Sequence, residues 1–372
     1  MQISHLTKKE IIIILSAVGL VGSIASIYGV FSNSGFDNRG IVASGDGNTI
    51  SNSPIINSGG DVSIVINELK QKGYSTPDGA YYDSIDQMVE LASAGNPRAQ
   101  NYLGVALGNN VGDALAAKDW FYKASIQGHA KAQYNLARMF ENGEGGEQDY
   151  QKALEWYLRS AESGYVEAQF KAAYILVNGL GDVDLDYTAA LDLFHKSADQ
   201  GWVPSYKHLG LMYLWGEGTE IDFGKSVNFF RAAAENNDAE SQEHLAWRYM
   251  RGQGVPKDHT LAAEWFMKAA DQGLASSQHQ LGFMYIRGDG VTLDLEKGFH
   301  WTHKAAKQGF LESEKNLGAM YWNGIGVEKN LEKGLFWSKK AARRNHPEAI
   351  EFIESIRETA SELNIDLSKF DL

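Results

Sequence analysis

The chain has 372 residues, a formal net charge of −13 and no cysteine. The acidic balance argues against nucleic acid, whose binding rests on neutralising phosphates. The missing thiols remove disulfides, thiol catalysis, thiolate metal sites and lipid attachment through a cysteine, and fit an oxidising compartment without requiring one.

In chain order, residues 1–10 are short and polar, with Lys8 and Lys9. Residues 11–31, IIIILSAVGLVGSIASIYGVF, carry no charge. At helical rise they span about 31 Å, enough for a bilayer core. Apolar on every face, they read as an uncleaved transmembrane helix rather than a buried amphipathic one. Ser23-Ile24-Ala25 also offers a signal-peptide cleavage site, although the apolar run continues through Phe31. Lys8 and Lys9 favour a cytoplasmic N-terminus, Glu10 weakens the bias, and Arg39 is the sole basic residue shortly after the span. The expectation is a single-pass protein of a bacterial inner membrane with its C-terminal part in the periplasm.

Residues 32–79 are rich in Gly, Asn and Ser. They read as a flexible linker, or as short β-strands at Ile41-Val42, Ile50, Ile55-Ile56 and Val62, Ile64, Ile66 between turns. Strands this short cannot bury both faces alone, so residues 36–66 are a candidate homo-oligomerisation segment.

From about residue 80 to residue 356 the chain repeats. The residue closing a helix reads Gly128, Gly164, Gly201, Asn237, Gly273, Gly309, Asn345, at intervals of 36 or 37 residues. A large residue reads Trp120, Trp156, Leu193, Phe229, Trp265, Trp301, Trp337 in the same register. A period of this size marks a stacked array of helix pairs. Paired glycines such as Gly288 and Gly290 end each first helix, and Asp113, Asp149, Asp186, Asp222, Asp258, Asp294 and Asn330 are placed to cap each second helix. Small residues line both helices (Gly282 and Ala262 among them), so the large column, Trp265 included, is expected to fill the space between layers. The first unit is shorter and lacks the glycine pair. The third has Ala172 and Leu193 where others carry Leu and Trp, which predicts looser packing there. Tyr82 to Gly95 reads as a second helix without its first, Pro347 to Arg357 as a lone first helix, and residues 357–372 as a tail that either packs on that end or is free.

These motifs resemble the Sel1-like repeat family, a relative of the tetratricopeptide repeat. The resemblance implies a right-handed all-α solenoid of helix pairs, with a concave face that binds other proteins and no reaction. With the N-terminal segments, the expected fold is that solenoid preceded by a transmembrane helix and a short β-rich stretch.

No catalytic motif stands out, and no cofactor or metal is expected. His300 and His303 lie one turn apart but lack a carboxylate ligand set, and read as solvated histidines on an outer helix. The informative positions recur in place and vary in type. Counting from the leucine of each first helix, they place His208, Trp215, His244, Trp247, Arg248, Arg251, Phe283 and Arg287 on neighbouring stripes. In tetratricopeptide-like stacks the first helix lines the groove, so these eight form a candidate partner-binding patch, aromatic and basic on an acidic protein. Ordinary packing plus solvated charge is the other reading. The function expected is a non-enzymatic, membrane-anchored adaptor that holds a protein partner. An immunity protein against a secreted antibacterial toxin such as a phospholipase, and a cytoplasm-facing oligomeric regulator or defence component, are the alternatives.

Overall fold

The structure, a computed structural model, describes residue 67, residues 84–111 and residues 113–362. The apolar stretch 11–31, the β-prone residues 32–66 and residues 363–372 lie outside the described residues. Sixteen α-helices run through the described part: α1 (Ile85–Ser93), α2 (Pro97–Ala106), α3 (Ala114–Ser125), α4 (Ala130–Asn142), α5 (Tyr150–Glu162), α6 (Val166–Asn178), α7 (Tyr187–Asp199), α8 (Val203–Trp215), α9 (Phe223–Glu235), α10 (Ala239–Arg251), α11 (His259–Asp271), α12 (Ala275–Arg287), α13 (Leu295–Lys307), α14 (Leu311–Asn323), α15 (Leu331–Ala342) and α16 (Pro347–Glu362). Among the described residues there is no strand, and no helix is long and apolar enough to cross a membrane. The chain divides into two compact units, one ending at Phe229 and one resuming at Phe230 within α9. In the first, each helix from α1 to α8 packs on its sequence neighbour; in the second the same holds from α10 to α16.

The helix ends follow from the sequence columns. Asp113, Asp149, Asp186, Asp222, Asp294 and Asn330 each accept a backbone N–H three residues on, at 2.9 Å. Each first helix from α4 to α14 stops at a left-handed glycine. The column that closes the second helices is also left-handed. Its glycines include Gly273 at φ 97°, and its two non-glycine members, Asn237 and Asn345, sit at φ 67° and 61°. Asparagine tolerates that region better than other side chains. The shorter first unit replaces the glycine pair with a π-helical turn, Leu107–Val111.

Consecutive helix pairs are joined by a rung of glutamines. Gln100, Gln133, Gln169, Gln242 and Gln278, on first helices, each donate Nε2 to a carbonyl in the last turn of the preceding second helix: Ala92, Ser125, Ala161, Ala234 and Ala270. Their other amide atom receives a donor from the end of the following second helix: Gln127, Gln200, Gln272 and Gln308 reach Gln100, Gln169, Gln242 and Gln278 at 2.8 Å. Where Ser163 stands in this donor column, the Gln133 Oε1 is buried without a partner. The last rung is ionic. Glu314, fully buried, sits 3.1 Å from Arg344 and 2.9 Å from Lys340.

Two expectations are corrected. The large column that includes Trp265 is not the main interlayer filler, although Trp156, Leu193 and Trp301 in it are buried. The next residue is: Phe121, Tyr157, Phe194, Phe230 and Phe266 are buried, with Thr302 and Ser338 completing that column. Trp120, Trp265 and Trp337 are half-buried instead. A cation from the following turn covers them and their counterparts: Lys123, Arg159, Lys268, Lys304 and Lys340 lie 3.6–4.7 Å from the ring centroids of Trp120, Trp156, Trp265, Trp301 and Trp337. In the third unit Ala172 and Leu193 are both in the core and Phe170 packs on Phe194 at 5.7 Å. The lone helix α16 runs to Glu362, into the stretch expected to be tail.

The exchange of columns has a measurable consequence. Phe266→Ala removes a fully buried ring and is expected to cost about 3–5 kcal/mol. Trp265→Ala removes a half-buried ring and one cation–π contact, for about half that. Urea unfolding of both variants ranks them; a larger loss for Trp265→Ala would restore the original assignment of faces.

Candidate functional site

The varied positions of the first helices fall into interior and surface sets. The residue three after the core leucine is interior: Met139, Ile175, Met212, Met284 and Met320 are 0–2% exposed. The residues two and six after it lie toward the surface and differ from repeat to repeat.

In the unit that begins at Phe230, two consecutive first helices carry the same arrangement. Arg251 lies over the Trp247 ring at 4.9 Å, and Arg287 over the Phe283 ring at 5.1 Å. Both cations sit one turn after their rings. Arg287 Nε also lies 3.4 Å from Asp289. Trp247 meets the core edge-on, its ring 5.2 Å from Phe266. His244 lies flat on Phe230 with ring centroids 4.7 Å apart, so it packs as much as it presents. Arg248 occupies the interior methionine column, 5% exposed. Its Nε is buried without a hydrogen-bond partner. Burial, and then the neighbouring Arg251, bring its pKa down to about 10, so it stays cationic at neutral pH.

In the unit that ends at Phe229, Trp215 is 51% exposed at the end of α8. His208 stacks on Phe194 at 4.9 Å and meets Phe170 and Tyr174 edge-on. It belongs to a ring cluster rather than to an open face. Of the eight expected patch residues, the structure therefore brings out Trp215 and Arg251 as surface groups. Arg287 is half-buried beside Asp289, Trp247 and Phe283 are half-buried platforms, His208 and His244 are stacked rings, and Arg248 is an interior cation. The glutamine rungs and the cations over the tryptophan column went unnoticed in the sequence, although both columns are visible there. Arg248 had a signal too: it stands alone among methionines and an isoleucine.

The histidine pair on α13 is also engaged. His303 stacks on Phe299 at 5.6 Å, and His300 meets Trp301 edge-on. His303 is half-buried rather than solvated. Among the described residues, no group of three His, Asp or Glu is placed to hold a metal ion. Elsewhere, Glu141 joins Lys171 at 2.8 Å and accepts the hydroxyl of the buried Tyr157, whose pKa burial and that carboxylate push up.

Tandem helix pairs with recurring caps, rungs and core columns define a helical repeat protein, of the class that serves as an interaction scaffold. The chain belongs to the Sel1 repeat family, which matches it at residues 97–129, 130–165, 166–202, 204–238, 239–274, 275–310 and 311–346. The fold is an all-α solenoid of these seven repeats. It is similar to a Sel1 repeat protein from Oxalobacter formigenes, at 27% identity and a TM-score of 0.64, covering 80% of this chain and 86% of that one. It is also similar to a protective antigen of uropathogenic Escherichia coli, at 29% identity and a TM-score of 0.60, covering 74% and 67%. Among curated proteins, DAP3-binding cell death enhancer 1 of Rattus norvegicus is 45% identical over 131 residues, 35% of this chain. The match spans 25% of the rat protein's length.

One titration inside the array has a definite sign. His279 Nδ1 lies 2.8 Å from Ser313 Oγ, and burial brings its pKa down to about 4. An unfolded histidine titrates near 6.5. Above that pH the group contributes no dependence. As pH falls from about 6.5 to about 4, the unfolded chain takes a proton that the native state refuses, and stability falls by about 3 kcal/mol. Below about 4 its contribution is constant. Urea unfolding of wild type and His279→Gln at pH 7 and pH 4.5 checks this: the variant should lose less stability, and equal losses would mean the imidazole is protonated in place.

Proposed function

We propose that this protein is a non-enzymatic, membrane-anchored adaptor that captures a protein partner on the first-helix face of its Sel1 repeats. The observation that carries the reading is the arginine-over-aromatic pair repeated at equivalent positions on α10 and α12. Aromatic and arginine side chains dominate the energy of protein interfaces, and here they are already ordered against each other, which lowers the entropy lost on binding. The name of the rat relative describes it as a binder of another protein, which supports the same class of activity. The anchor rests on the apolar residues 11–31, and the periplasmic placement of the repeats on Lys8 and Lys9.

The structure changes the way this is tested. Arg248 is interior, so a glutamate there would unfold α10 rather than report on binding. Lys268 and Lys304 cover Trp265 and Trp301, so they are unsuitable as silent controls. Arg251→Glu with Arg287→Glu should keep helix content and abolish co-purification of the partner from native membranes, identified by mass spectrometry. Exposed Lys257→Glu with Lys329→Glu should leave capture intact. Equal capture by wild type and the arginine pair would remove this face from the interface. Alkaline phosphatase fused after Leu372 should be active; an inactive fusion would place the repeats in the cytoplasm and favour the regulator reading. A secreted toxin as the captured protein would specify an immunity role.

A further inference from the structure

Arg248 is costly where it stands. Its column holds methionine in four repeats and isoleucine in another, all buried. A guanidinium placed there loses hydration at Nε, which is buried and has no acceptor. Among the described residues, the charge that acts on it is another cation, Arg251. Buried cations are ordinarily paired, because an unpaired one carries its full desolvation cost. Methionine would fill the same column without that cost.

The missing partner is an anion, and its shape follows from the donor. A guanidinium offers parallel N–H groups in a planar fork that matches the two oxygens of a carboxylate. Next to it in the chain, Trp247 stands edge-on against Phe266, with Arg251 over its ring. An aromatic side chain thus lies within one turn of the cation, which suits a carboxylate carried on or next to an apolar side chain. A second cation within one turn adds attraction to the same ligand.

We propose that Arg248 anchors a carboxylate-binding subsite, in which a side-chain or terminal carboxylate of the protein partner takes the fork of its guanidinium. The subsite rests on the adaptor reading above and gives it chemistry: the partner supplies an acidic group flanked by an apolar one. The unpaired arginine is then a stability loss held in reserve, recovered when the partner's carboxylate arrives.

The test uses the full chain in detergent micelles with arginine labelled at Nε with nitrogen-15. The Arg248 Nε–H resonance is assigned by its loss in Arg248→Met. N-acetyl-aspartyl-phenylalaninamide presents a side-chain carboxylate and N-acetyl-phenylalanine a terminal one; N-acetyl-asparaginyl-phenylalaninamide is the neutral control. At least one carboxylate probe should move the Arg248 resonance saturably, and which one does so identifies the source. The neutral control should not move it. Arg248→Met should raise the thermal midpoint, because it restores the column residue, and should weaken the effective probe at least tenfold by calorimetry. Arg248→Lys, which keeps charge without the fork, should weaken it as well. No saturable shift with either carboxylate, equal affinity in Arg248→Met, or saturation by inorganic phosphate in place of the carboxylates would overturn the subsite. A wild type that captures its partner yet ignores both probes overturns the subsite and leaves the adaptor reading standing. Capture indifferent to Arg251 and Arg287 overturns the reading beneath it.

Discussion

A buried glutamine amide holds each helix pair to the next. A helix leaves its last carbonyls without internal partners, and a stack of short helices multiplies that problem at every turn. Here the residue closing each second helix reaches one of those carbonyls with its backbone N–H, and the Nε2 of Gln100, Gln133, Gln169, Gln242 and Gln278 adds a second donor to the same carbonyl. The same side chain accepts from the end of the following second helix in four of those places. One amide thus fixes three consecutive helices. Each of these carbonyls also accepts the backbone N–H three residues on, so the amide adds a second bond to it, for a net gain of about 1 kcal/mol per bond. The array tolerates variation within that rule. Tyr206 replaces the amide with its hydroxyl, bonded to the Ala198 carbonyl at 3.0 Å. Glu314 replaces it with a carboxylate, and the donor column supplies Arg344 to match.

Much of this was legible in the sequence. The interval, the capping Asp column and the left-handed closing column all read directly, because each is fixed by local backbone chemistry that one residue type satisfies. The wall between layers did not. Two adjacent columns carry large residues, and adjacent residues on a helix point about 100° apart. Tryptophan gives the stronger apolar signal, yet its column is buried at Trp156 and Trp301 and half-buried at Trp120, Trp265 and Trp337, with a lysine or arginine one turn on over each ring. The inner column is disguised where Thr302 and Ser338 replace the ring. That substitution suits Gly282, since a Cβ there would come within 2.7 Å of Thr302 Oγ1. A column's identity depends on what faces it, and that is a property of the partner helix.

The candidate site was legible in a different sense. Its residues were found by their variation, and variation alone does not separate surface from interior. Trp215 and Arg251 lie toward solvent, and Arg287 is half-buried. His208 and His244 vary in type because each is matched to a ring beneath it, Phe194 and Phe230. Their column changes from repeat to repeat for packing reasons as well as recognition. Arg248 belongs to neither group: it breaks a column that is otherwise uniform and apolar.

That break bears on how a repeat array acquires specificity. The scaffold's stability comes from columns that must stay nearly constant, so recognition is usually written on positions that contribute little to the fold. Such positions supply weak, screened contacts, worth little for exposed charges. A cation set in a core column differs, because its desolvation has already occurred in the free protein. The partner's acid then meets a guanidinium that water no longer competes for strongly, and discrimination against a neutral side chain grows accordingly. The cost is borne by one repeat, and its effect on the rest is limited because stability in such an array is set by nearest neighbours. A repeat protein can therefore hold one destabilised, selective position in α10 while the glutamine rungs on either side, at Gln242 and Gln278, keep the stack closed.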